Sequence, residues 1–419
     1  MFEAFSFAGL KSKVEMLSVQ EALRIVEEQT PRLPVETVGL EDAVGRVLAE
    51  DVVADSDLPP FNRAQMDGYA VRAVDVAGAP VTLRVVGESA AGRGWHRTMG
   101  EGEAIRIMTG APVPSGADSV QKVEVTRESE EDGGTRLVLI EEATQPGQFI
   151  VERASEIHLG ETVLRAGDAI NAARMAALAS FGYAKVAVGG RPRVAVLATG
   201  TELVEVSEKP GIDQIRDSNS YSLGAYAEAA GARVLRLPLA GDDPQLLERA
   251  ILEAATRADA LVLSGGVSMG VYDFTKAALR AVGAEIFFER VALRPGKPTV
   301  FARLGQTLVF GLPGNPVSVS VTFNLFARTA LRAMQGAREA RMTEERAVLA
   351  RTVKGAGERE SYLPARLLTD ERGRLLAEPL KWGGSSDFVA FAEATALIIV
   401  PRGVPALDQE TIVRVVRLP

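Results

Sequence analysis

The chain has 419 residues, 47% hydrophobic and 24% charged, with a formal net charge of −8, a composition that fits a globular protein of roughly two to four domains. It has no cysteine, which excludes disulfides, thiolate nucleophiles, Cys-type zinc sites and iron–sulfur clusters, and its two histidines, His96 and His158, argue against a His-rich metal centre or a Ser-His-Asp triad. No Lys/Arg block offers a nucleic-acid surface, no apolar run nears the roughly 18 residues of a membrane span, and the opening MFEAFSFAGLKSK is a poor signal peptide, so no nucleic acid, no membrane and a cytoplasmic location are expected.

In chain order, residues 18–30 read as a helix opened by a capping box of Ser18 and Glu21, and LEDAVGRVLAED predicts a second helix over 40–51. Residues 52–156 turn Gly- and Pro-rich with short Val-rich runs (VTLRVVGE, EAIRIMTG, TRLVLIEEA), which predicts a small β-rich domain, its acidic run RESEEDGG (127–134) a solvated turn. Residues 171–186 return to helix with Asn171 as N-cap, so the β-rich domain is expected as an insertion in a helical domain made of 1–51 and 157–190. After the linker GGRPR, residues 191–336 alternate apolar strands with helical segments, the first stopped by Gly231 and the last running from Asn315 to about Gln335, which predicts a doubly wound α/β domain. Residues 337–419 are β-rich again and suggest a small barrel or sandwich.

The α/β segment carries the chemistry. RVAVLA gives way to Thr199-Gly200-Thr201-Glu202, ALVL to Ser264-Gly265-Gly266, and TLVFGL to Pro313-Gly314-Asn315-Pro316. Ligands of such sheets bind beyond the carboxyl ends of the strands. Glycines let backbone N–H groups approach a phosphate, helix N-termini favour an anion, and carboxylates can hold Mg²⁺, so a phosphorylated ligand with Mg²⁺ is the favoured reading. Glu202, Asp242, Asp243 and Asp273 all follow predicted strands. Any one alone reads as a cap or a solvated acid, but three at neighbouring strand ends would repel without a cation. The loop after Gly265-Gly266, with Ser268, Gly270, Asp273, Thr275 and Lys276, reads equally as a tight turn capped by Asp273. Arg294-Pro295-Gly296-Lys297-Pro298 puts two cations on a rigid loop, an ordinary solvated pair unless it lies between the other loops, where an oxyanion or phosphate would explain it better. Asp67 by itself is a turn residue and Thr109 the end of a strand; Trp95 and Trp382 beside glycines do not read as a stacking platform.

Together the stretches LPPFNRAQMDGYAV, AIRIMTGAPVPSGADSV, VAVLATGTEL, QIRDSNS, GDDP, LSGGVSMGVYDFTK, LRPGKP and GLPGNPVSVSVTF resemble, in order and spacing, the molybdopterin molybdenumtransferase family (the MoeA and gephyrin E-domain group). The resemblance implies a cytoplasmic, Mg²⁺-dependent enzyme of molybdenum cofactor biosynthesis. Such an enzyme cleaves adenylylated molybdopterin, releases AMP and places molybdate on the dithiolene. It also implies an elongated homodimer of four domains, with each site shared between the α/β domain of one subunit and the β-rich domain of the other. The adenylyltransferase of the preceding step is a candidate partner. Residue by residue, Glu202, Asp242 and Asp273 fall on the acidic, metal-holding positions, and Asp67 and Thr109 on those of the β-rich domain. Arg294, Ser318, Arg359 and Ser385 fall near positions linked to molybdate or the terminal phosphate. Thr199, Gly200, Ser218, Asn219, Gly265, Gly266, Ser268, Arg290, Lys297, Pro313, Gly314, Asn315 and Pro316 fall on the substrate-binding loops. The chain departs from the pattern at Ala154 and Glu156, where Gly and Asp are usual, at Arg290 and Arg294 in place of lysines, and at Ala64 in place of serine. The rival readings are a molybdopterin adenylyltransferase, whose Gly-Gly loop continues differently, and a non-catalytic pterin-binding scaffold.

Overall fold

Six strands form the sheet that organises the site: β1 (Arg193–Ala198), β2 (Arg233–Arg236), β3 (Ala260–Ser264), β4 (Glu285–Phe288), β5 (Val300–Leu304) and β6 (Thr307–Leu312). In the computed structural model, which describes residues 16–241, 243–266 and 274–419, their order is β2-β1-β3-β6-β5-β4. The first four of that order are parallel; β5 runs antiparallel to both its neighbours, so the expected parallel sheet is in fact mixed. The reason is local: Leu304 and Thr307 are paired residues of a β5–β6 hairpin, too short a connection for a crossover helix.

The central strands read as continuous apolar runs because both their faces are covered. Val194 and Val196 of β1 and Ala260 and Val262 of β3 face one core, with α1 (Asn219–Ala229) and the helix from α4 (Pro316–Thr322). Ala195, Leu197, Leu261 and Leu263 face the other, with α2 (Pro244–Arg257) and α3 (Phe274–Ala281). α4 continues through one π turn (Phe323–Ala327) into Arg328–Met334 and stops at Gly336, whose φ is +78°, as expected from the Gln335-Gly336 pair.

The chain divides into two compact units, 1–50 with 166–172 and 185–419, and 51–165 with 173–184. The first unit holds the α/β sheet and a closed barrel, which settles the choice between barrel and sandwich. Its strands follow the ring Glu360–Thr369, Leu375–Pro379, Glu344–Leu349, Ile412–Arg417, Ala396–Val400 and back to Glu360–Thr369. Helix Val19–Gln29 also belongs to this unit, with the Ser18/Glu21 capping box formed. Residues 40–51 are not the expected helix. They form a 3-10 turn (Leu40–Asp42), Gly45 takes a φ of +80°, and the N–H of Leu48 donates to the Asp168 carbonyl. A left-handed residue cannot continue a helix, and the neighbouring chain takes its hydrogen bonds. Similarly, of 171–186 only Ala172–Ser180 is helical; Gly182 (φ +75°) ends it and Lys185–Gly189 pairs with strand Val35–Gly39.

The second unit is built around a six-stranded sheet in the order Ser119–Lys122, Gly68–Val71, Glu103–Ile107, Val81–Ser89, Thr135–Ile140, Thr126–Glu131. The acidic run is mostly strand: residues up to Glu131 pair with Thr135–Ile140, and only 132–134 turn.

Candidate active site

Parallel register brings the three loops together. Ala198 lies opposite Ser264 and Ser264 opposite Leu312, so the segments that follow leave the sheet at one edge. There they line a crevice of about 930 Å³. Of the sequence-predicted residues, Thr199, Gly200, Glu202, Ser218, Asn219, Gly265, Gly266, Pro313, Gly314, Asn315 and Pro316 line it. Asp242, Ser268 and Asp273 lie outside the described residues.

The floor is knitted by its own backbone. Thr199 N–H donates to the Ser264 carbonyl at 2.8 Å, Gly200 N–H to Ala240 at 3.1 Å and Gly265 N–H to Leu312 at 3.2 Å. These three donors, expected to cradle phosphate, are therefore spent on holding the loops in register. Gly265 sits at φ +102°, and a Cβ there would lie 2.3 Å from the Thr199 carbonyl oxygen. Gly265→Ala is thus expected to cost roughly 1–3 kcal/mol of folding stability, from backbone strain and overpacking, measured by denaturant unfolding. An unchanged midpoint would mean the two loops are not pressed together.

Asn219 is the clasp. Its side-chain N–H₂ donates to Ser264 Oγ at 2.7 Å and to the Gly314 carbonyl at 2.8 Å, which ties α1 to the loops after β3 and β6, while its Oδ1 is buried without a partner. Asp217, just before the Ser218 N-cap, steadies the first turn of α1 by accepting from Ser220 N–H and from the Ser220 hydroxyl. Asn315 occupies the N-cap of α4 but does not cap it with its side chain; its amide donates to Ser385 Oγ at 2.9 Å instead. The start of α4, with its partial positive charge, opens into the crevice.

The acids separate by role. Asp243 is a helix cap, its Oδ1 accepting from Gln245 and Leu246 N–H. Glu202 is exposed at the crevice, its carboxylate close to Gly200, where an added Cβ would lie 2.5 Å from Oε2. Among the described residues no group of three His, Cys, Asp or Glu side chains converges. The donor set at the crevice is nevertheless of one kind, the carboxylates of Glu202 and Asp217 with hydroxyl and amide oxygens and no sulfur or imidazole, which fits a hard cation such as Mg²⁺.

Of the expected cations Arg290, Arg294, Lys297 and Arg359, none lines the crevice. Arg290 is exposed and does not line the crevice; Lys297 and Ser318 also lie off its lining, Ser318 buried in α4. Arg294 lies on a two-residue strand that pairs in parallel with Glu360–Ser361 of the barrel, which places it next to the Arg359 segment and in a separate pocket. Among the described residues that line the crevice, the cation is Arg216, which sequence reasoning missed. Also missed was the wall of Leu203, Pro210, Gln214 and Ile215, and Ser386 and Phe388 from the barrel side.

In the second unit, Asp67 and Thr109 form a pair. Asp67 Oδ1 accepts from both the hydroxyl and the N–H of Thr109 at 2.6 Å. These two donors, the hydroxyl first, hold the Asp67 carboxyl below its ordinary range. A depressed carboxylate favours the folded state above its unfolded pKa and loses that contribution as pH falls through the folded value. Thr109→Val removes one donor and should move the Asp67 titration upward, as read by carboxyl-carbon NMR; an unmoved titration would deny the hydroxyl this role.

Comparison with known proteins agrees with this architecture. Family models match along the chain: the MoeA N-terminal region (domain I and II) over residues 17–182, a probable molybdopterin binding domain over 195–333, and the MoeA C-terminal region (domain IV) over 346–418. A protein named molybdopterin molybdenumtransferase from Bacillus subtilis (strain 168) is 36% identical over 403 residues, covering 95% of this chain and 93% of the relative. One of the same name from Staphylococcus aureus (strain COL) is 34% identical over 391 residues, 92% of each chain. The crystal structure of the molybdopterin biosynthesis MoeA protein from Pyrococcus horikoshii superposes with a TM-score of 0.76 at 31% identity, covering 96% of this chain and 99% of that one. A multidomain α/β protein with a closed small barrel in its C-terminal region is thus a known class. The chain belongs to the MoeA family, that of the molybdopterin molybdenumtransferases.

Proposed function

We propose that this protein is a molybdopterin molybdenumtransferase, a transferase of molybdenum cofactor biosynthesis that inserts molybdenum from molybdate into adenylylated molybdopterin and releases AMP. The single observation that carries the reading is the crevice at the joined strand ends, in a chain whose whole length matches the family. Full-length relatives favour it over the preceding adenylyltransferase.

In this reading the crevice binds the pterin nucleotide. The positive start of α4 and Arg216 attract its phosphates, and Asn219 keeps the floor rigid. Glu202, with Asp242 and Asp273, would hold Mg²⁺. The ion, when bound, supplies charge neutralisation at the phosphoanhydride. Asp67, kept ionised by Thr109, orients the attacking water or molybdate at phosphorus. Arg294, Arg359, Ser318 and Ser385 remain our assignment for the molybdate side. We further infer a homodimer in which the β-rich unit of one subunit completes the partner's crevice, the four-part division at 1–51 with 157–190, 52–156, 191–336 and 337–419, and a cytoplasmic enzyme. Among the described residues no helix is long and apolar enough to cross a membrane.

The test is incubation with adenylylated molybdopterin, Mg²⁺ and molybdate. Molybdate-stimulated AMP release is expected. In a parallel incubation with molybdopterin and ATP, consumption of ATP with release of pyrophosphate would indicate the adenylyltransferase instead, and no turnover in either mixture a binding scaffold.

A further inference from the structure

Among the described residues that line the crevice, one is aromatic: Phe388, from the barrel side. It is 52% exposed, whereas Phe391, three residues on, is buried in the core that covers one face of the α/β sheet. A single exposed apolar side chain is ordinary. What sets Phe388 apart is its mount. Asp387 caps the short helix Phe388–Phe391, its Oδ1 accepting from Ala390 N–H at 3.2 Å and its Oδ2 from Gly383 N–H at 2.7 Å. Just before it, the Ser385 carbonyl accepts from Val317 N–H at 3.1 Å, and Ser385 Oγ from the Asn315 amide at 2.9 Å. The backbone that carries the ring is therefore fixed beside the start of α4, the part of the crevice that favours an anion.

An exposed ring on a rigid mount, next to an anion-favouring helix start, matches a ligand that joins a planar base to phosphates. Aromatic faces stack on nitrogen heterocycles whatever the base, because every base has a π-face. The floor gives a reason for such a contact. The N–H groups of Thr199, Gly200 and Gly265 are spent on neighbouring carbonyls and do not hold the ligand. Leu203, Pro210 and Ile215 add apolar area to the lining but no ring face. We propose that Phe388 is the platform on which a planar nitrogen heterocycle of the bound nucleotide stacks, so that the barrel helps to select the ligand of the α/β crevice. This rests on the insertase reading, in which the ligand carries two such rings, adenine and pterin.

AMP and neopterin monophosphate are probes for the two rings, and ribose 5-phosphate is the control that has neither. Isothermal titration calorimetry on the full chain should show saturable binding of at least one ring-bearing probe. Phe388→Ala should weaken that binding about tenfold, the scale of one lost base–aromatic stack, and leave ribose 5-phosphate unchanged. Phe388→Tyr should bind as the parent does. Because the side chain is half exposed, the melting temperature of Phe388→Ala should stay near the parent's. Ring-proton resonances of the stacked base should move upfield on binding to the parent and not on binding to Phe388→Ala. The probe that loses affinity identifies which ring stacks. No binding of either ring-bearing probe by the parent, parental affinity for both in Phe388→Ala, or an equal loss for ribose 5-phosphate would overturn the proposal. AMP release by the parent tests the insertase reading separately. Release together with unchanged probe binding in Phe388→Ala sinks the platform alone, and ring-dependent binding without release sinks the insertase reading alone.

Discussion

Glu202→Gln is expected to lower AMP release by on the order of 10²-fold, the scale seen when one electrostatic element of a preorganised site is removed. The exchange keeps the size of the side chain and removes its charge. Glu202 is exposed at the crevice and is held by no ion pair among the described residues, so the fold should survive and the melting temperature should stay near the parent's. The Mg²⁺ concentration needed for half-maximal turnover should rise in the same variant. A variant with the parent's turnover and the parent's Mg²⁺ dependence would remove Glu202 from the metal site and leave it a solvated loop acid.

The second large effect concerns the assembly. Asp67 with Thr109 belongs to the unit 51–165 with 173–184, and Glu202 to the other unit. If each site combines one group from each of two subunits, homodimers of Asp67→Asn and of Glu202→Gln should both be nearly inactive. Mixed dimers hold one site with both substitutions and one with neither. They should regain roughly half of the parent's activity per dimer, because function follows the intact site. Activity that stays at the homodimer level after verified subunit exchange would show that each site is built within one chain.

The strand-end crevice was legible because its signals are local. β1, β3 and β6 are apolar on both faces, and each stops at a Gly- or Pro-rich loop. What decides the interior of the site is not local. Asn219 works as a clasp only because Ser264 and Gly314, 45 and 95 residues away, are brought beside it by parallel register. Asn315 turns to Ser385 across 70 residues and so gives up the capping role its position suggests. The loop donors expected for phosphate are consumed by neighbouring carbonyls, which no sequence pattern marks. The wall formed by Leu203, Pro210 and Ile215 was missed because its apolar residues follow no period of 2 or 3.6. The sequence leaves open whether Arg294 lies between the crevice loops, because its pairing with Ser361 of the barrel, 67 residues on, has no local signal. LEDAVGRVLAED predicts a helix over 40–51, but Gly45 at φ +80° breaks it.

If this protein is the insertase, molybdenum transfer and phosphoanhydride cleavage occur together on it. The most direct measurement counts both products in one reaction: AMP by chromatography, and molybdenum bound to the pterin dithiolene by mass spectrometry. Insertion predicts that the two rise together in equal amounts and that both require molybdate. AMP released without molybdenum on the pterin, or nucleotide turnover that needs ATP, would contradict it.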